Sequence, residues 1–76
     1  MASLYHAPSG SRYRILSLPS SPLLQSLGVF QGAIITKRST YKLGGPVLLD
    51  IQSREIAIGK DLALQVAVEW LGGVAK

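Results

Sequence analysis

Leu27-Gly28-Val29-Phe30-Gln31-Gly32, running into Ala33-Ile34-Ile35-Thr36-Lys37 and then, past a polar stretch, into Leu43-Gly44-Gly45-Pro46-Val47, is the stretch whose reading decides the architecture of this chain. Glycine serves where φ is positive or where two backbones come close. Gly28 suits the residue just past a short helix ending at Leu27. Gly32 suits the entry into a strand, and Gly44-Gly45 before Pro46 suits the re-entry of a hairpin. The stretch reads as helix end, turn, strand, hairpin, strand. It builds a scaffold and by itself performs no chemistry.

Working outward, the whole chain has 76 residues, enough for one domain. An aliphatic core of that size leaves only about 3–5 kcal/mol of net stability. With no cysteine, no disulfide or thiolate site supports the fold, which suits a reducing cytoplasm. The apolar residues come in short runs broken by glycine, proline and serine. None approaches the roughly 18 residues of a membrane span, so no direct membrane insertion is expected. The N-terminus lacks an apolar signal core, and a cytoplasmic location is expected. The net charge of +4 permits an acidic partner without demanding one.

In chain order, residues 1–11 show no period and are expected to form a flexible leader. Residues 12–18 alternate as a first strand, with Tyr13 and Ile15 on one face and Arg12 and Arg14 on the other. Ser21 and Pro22 predict the N-cap and first residue of a short helix over 22–27, closed by Gly28. Such a helix is not stable alone and must lie on the rest. Residues 33–39 form strand two and 46–51 strand three, with Val47, Leu49 and Ile51 facing one way and Leu48 and Asp50 the other. Strand four, 55–58, turns Ile56 and Ile58 inward, and 59–64 forms a helical turn. In strand five, 65–70, Val66, Val68 and Trp70 share a face. Phe30 and Trp70 are both expected in the core. A continuous helix over 60–71 is disfavoured by its valines and period-two pattern. Residues 12–71 are thus the domain and 72–76 a flexible tail. Five short strands with close turn signals predict a mainly β fold, a small SH3-like barrel with a short helix after strand one. Closing the sheet hides its edges.

The order L-x-x-LG-x-x-x-G over Leu24 to Gly32, an apolar strand, GGPV from Gly44 to Val47, a second apolar strand, and IAIGKDLALQVAVE from Ile56 to Glu69 resembles the FeoA family. That family comprises small cytoplasmic bacterial proteins of ferrous iron transport. The resemblance spans about residues 13–69. In the family an arginine is common where Gly59 stands here, which leaves Lys60 to supply that basic group. The resemblance implies an SH3-like fold, no enzymatic activity, and a partner. The implied partner is the cytoplasmic GTP-binding region of the membrane transporter FeoB. Related domains occur at the C-terminus of DtxR-like metal-dependent repressors. The family is described as binding transition metals. Against that stand one histidine, no cysteine and four scattered acids (Asp50, Glu55, Asp61 and Glu69). Borderline and soft divalent metals favour imidazole and thiolate, so no metal ligand and no cofactor is assigned.

Enzymatic constellations fail on inspection. His6 lies in the leader, far from a set of three or four metal ligands. Asp50 and Glu55 sit on two arms of one hairpin, where solvated charges near Arg54 explain them. Gly44-Gly45 lacks the following GK[ST] of a phosphate loop. No catalytic residue is named, and the chain is not expected to be an enzyme. The candidate partner surface is the basic hairpin end: Lys37, Arg38, Tyr41, Lys42 and Arg54, with Leu48 beside it. The plainer explanation is a solvated end that keeps the protein soluble. The alternative function is a small basic barrel, unrelated to iron, that binds nucleic acid or another protein domain. Nucleic acid is disfavoured, because it needs stacking aromatics beside the cations and only Tyr5 and Tyr41 are at hand. Weak homo-oligomerisation is compatible with so small a barrel.

Overall fold

The computed structural model describes residues 2–41 and 44–73, and the expected mainly β, SH3-like domain is what forms. Six antiparallel strands make one sheet: β1 (Ala2–Ser3), β2 (Ser11–Ser17), β3 (Ile34–Thr40), β4 (Val47–Ile51), β5 (Arg54–Ile58) and β6 (Ala67–Gly73). Helix α1 is Pro22–Ser26 and α2 is Lys60–Gln65. The strand order is β1-β6-β2-β3-β4-β5, so β1 and β5 remain edges and the expected hiding of both by closure does not occur.

Local chemistry accounts for most of these elements. The Ser21 hydroxyl accepts a hydrogen bond from the Leu24 N–H at 3.3 Å, and Pro22 opens α1. At its other end the Gly28 N–H donates to Gln25 O and the Val29 N–H to Leu24 O. Gly28 has φ +80°, so this is a closed Schellman turn in which Leu24 and Val29, both buried, meet. The Arg54 guanidinium adds a bond to Leu27 O at 2.8 Å. In the β3–β4 hairpin, a Cβ on Gly45 would stand 1.7 Å from Tyr41 O. Only glycine fits there, while Tyr41 N–H bonds Pro46 O. The β4–β5 turn is tighter. Gln52 and Ser53 have φ of 52° and 64°, the doubly left-handed two-residue turn that matches strand twist.

Alternation supplies the core. Val47, Leu49 and Ile51 of β4, Tyr13 and Ile15 of β2, Ile35 of β3, Ile58 of β5 and Val68 of β6 all point inward and are buried. A helical turn and a strand after it also form, as α2 and β6, with β6 starting two residues later than the expected strand five and running through Gly73.

Three further expectations are corrected. Residues 2–11 do not stay outside the domain. Ala2 and Ser3 pair with Val68 and Ala67 as a sixth strand, and Leu4 and Ala7 are buried in the core. The Leu4 N–H donates to Val66 O at 2.7 Å, and the Tyr13 hydroxyl donates to Pro8 O at 2.6 Å. Burial pushes the Tyr13 phenol above the ordinary tyrosine value, with a hydrogen bond to Ser11 opposing. Residues 2–11 therefore belong with the folded domain, and at its other end β6 runs through Gly73. The rest of the expected tail, 74–76, lies outside the described residues.

Trp70 is the second correction, being 65% exposed. It shares the side of Val68 and stands opposite Tyr13, but β1 covers β6 only at Ala67 and Val68. The strand has run past its cover, and Trp70 rims an apolar groove of about 260 Å³ with Ala2, Ala7, Pro8, Tyr13 and Val68. Third, Phe30 is 50% exposed. Its neighbour Val29 takes the inward place in the turn after α1.

Candidate functional site

The six residues expected to form a docking surface are taken apart by the fold. Lys37 is only 1% exposed. It occupies the inward parity of β3, two residues after Ile35, and reaches up to the N-terminal segment. Its Nζ donates to Tyr5 O at 2.8 Å and to Ala7 O at 2.5 Å. Burial pushes the Lys37 ammonium below the ordinary lysine value, and the two carbonyls are what make the site tolerable. Lys37 is a structural clasp and leaves the surface set.

Arg38 does face solvent, with Nη1 at 3.2 Å from the Asp50 carboxylate. Leu48 is half-buried and lies opposite Ala57 in the β4–β5 ladder. Tyr41 is exposed at the hairpin end. Arg54 lies opposite Ile51 and bends to the end of α1, away from Leu48. Lys42 lies outside the described residues. The structure thus brings Arg38, Asp50 and Leu48 together on the outer face of the sheet. On the same face Arg14 pairs with Glu69 at 2.8 Å. Asp50 and Glu55 oppose one another directly, so this face carries both acids and arginines.

The other exposed groups gather around Tyr5, which sequence reasoning treated as a free aromatic. Its hydroxyl accepts from Gly44 N–H at 3.1 Å, and the Lys60 ammonium stands 5.3 Å above its ring. Lys60, the residue left to replace the family's arginine, thereby holds the N-terminal segment against α2. His6 is exposed, with Nδ1 at 3.1 Å from the Ser3 hydroxyl. Among the described residues no three His, Cys, Asp or Glu come together as a metal ion would require. No helix there is long and apolar enough to cross a membrane.

With that geometry in hand, a protein-family model described as the FeoA domain matches residues 2–69. No curated protein matches the chain. A crystal structure of an iron uptake regulatory protein (FeoA) is 27% identical with a TM-score of 0.82, covering 92% of this chain and 96% of that one. The iron(II) transport protein A of Clostridium thermocellum is 29% identical with a TM-score of 0.81, covering 91% of this chain and 45% of that one. ScaR with bound Zn2+ is 19% identical with a TM-score of 0.84, covering 93% of this chain and 37% of that one. That last likeness is one of fold.

Proposed function

The chain belongs to the FeoA family, and from that premise we propose that it is a non-enzymatic accessory protein of bacterial ferrous iron transport, acting in the cytoplasm by docking on the GTP-binding cytoplasmic part of a FeoB-type transporter. The observation that carries this reading is the family match over residues 2–69, which spans nearly all the described residues. The sheet itself supports a docking role better than a catalytic one. Three of its arginines are committed to acids or to the backbone, Arg14 to Glu69, Arg38 to Asp50 and Arg54 to Leu27 O.

The contact face we assign is the outer side of β3 and β4, with Arg38, Leu48 and the hairpin residue Tyr41. Arg54 remains at its border and Lys37 is withdrawn. The nucleic-acid alternative is weakened by the same geometry. Lys37 is buried, Arg14 and Arg38 are ion-paired, and the Tyr5 ring sits under Lys60.

Removing this protein from its host should change the rate of ferrous iron uptake severalfold and leave ferric siderophore uptake unaltered. Radiolabelled iron uptake measures both. An unchanged ferrous rate would overturn the reading.

A further inference from the structure

The free edge of β5 supplies a site. The strand order ends at β5, so it has a partner, β4, on one side only. Its ladder is regular from Val47–Ile58 to Ile51–Arg54, with no shift in register. The two-residue turn at Gln52 and Ser53 makes Ile51 and Arg54 a hydrogen-bonded pair. By alternation Leu49–Ile56 and Val47–Ile58 are bonded too, and the pairs at Glu55 and Ala57 are not. The N–H and C=O groups of Glu55 and Ala57 therefore point away from β4. Among the described residues no backbone group meets them. Sheet edges are ordinarily blunted by proline, bulges or outward lysines. This edge has no proline and no bulge, and its arginine is folded back onto Leu27 O. The opposite edge, β1, is two residues long and offers no comparable template.

The flanking side chains select the occupant. Asp50 is held by Arg38, but Glu55 has no cation within ion-pair distance among the described residues. Ala57 is exposed and small, which leaves room beside it, and Ile56 is half-buried. We propose that β5 is a strand-addition site for an extended, basic-apolar segment of a partner protein. The segment runs antiparallel, with a lysine or arginine opposite Glu55, an aliphatic residue opposite Ile56 and a small residue opposite Ala57. Main-chain bonds supply affinity and the alternate side chains supply selectivity. Leu48, across the ladder from Ala57, joins this edge to the docking face assigned above, and in that respect the inference rests on the docking reading.

Two probes separate the two claims. The first is the capped peptide Val-Thr-Val-Lys-Val, titrated to millimolar concentration against the isotopically labelled chain. The amide signals of Glu55 and Ala57 should move and their hydrogen exchange should slow. The peptide Val-Thr-Val-Glu-Val should bind about fivefold more weakly, the swing expected between an opposite and a like cross-strand charge. Ala57→Pro removes an outward N–H and no ladder bond, so it should keep the wild-type fold and bind the peptide at least about tenfold more weakly. Unmoved Glu55 and Ala57 amides, or equal binding of both peptides, would overturn the site. The second probe is the FeoB cytoplasmic part. Equal binding by wild type and Ala57→Pro would leave docking standing and overturn strand addition. Peptide binding without transporter binding would do the reverse.

Discussion

Lys37→Met should destabilise the domain by about 2–3 kcal/mol, because each buried acceptor stripped of its donor costs about 1–3 kcal/mol. Methionine keeps the length and apolar stem of lysine but cannot donate. The Tyr5 and Ala7 carbonyls would lose the ammonium that now bonds both. Relief from burying a charge offsets part of the loss, which is why the expected value sits below the sum of the two. A domain of this size holds only about 3–5 kcal/mol in reserve, and its melting temperature should fall by about 10–20 °C. Urea and thermal unfolding measure the effect. A variant within about 0.5 kcal/mol of wild type, inside the range of ordinary surface substitutions, would mean that water already serves those carbonyls and that Lys37 clasps nothing.

Leu4→Ala should be at least as damaging, by about 2–4 kcal/mol. Leu4 is 0% exposed, and its neighbours hold it in place. The Leu4 N–H bonds Val66 O, the Tyr5 N–H bonds Ala63 O, and the Ala7 N–H bonds Ser3 O. Collapse into the cavity is therefore restricted, so a cavity cost adds to the lost transfer free energy. A flexible leader would give no change at all in the unfolding midpoint, and that result would detach residues 2–8 from the fold. Both variants loosen the N-terminal segment, which Lys37 and Leu4 anchor from opposite sides of the contact, so their effects should combine to less than the sum.

How far the sequence could be read depended on the range of the interactions. α1 was legible to its caps, because Ser21, Pro22 and Gly28 act within one turn of where they stand. β4 and β5 were legible from period two alone. The N-terminal segment was not. It carries no period, and its order comes from partners far along the chain, namely Val66 O, Val68 and the Lys37 ammonium. Lys37 itself could have been found, since Ile35 and Lys37 share one inward parity in β3. The competing expectation that a lysine near a hairpin faces water prevailed. Trp70 shows the opposite limit. Its side of β6 was read correctly, but the pattern within one strand does not tell where the neighbouring strand stops. In the proposed docking surface, Arg38 and Leu48 are where alternation puts them. The ion pair to Asp50 and the turn of Arg54 toward α1 are tertiary facts.

The most direct measurement of the central claim is a calorimetric titration of the intact chain into the purified cytoplasmic GTP-binding part of FeoB from the same organism, with and without nucleotide and ferrous ion. Saturable binding that survives raised salt is expected, because the proposed contact face is charge-balanced and partly apolar. Lys37 should contribute only through folding, so any variant there that stays folded should bind normally. An absence of heat under every nucleotide and metal condition would contradict docking on that part of the transporter.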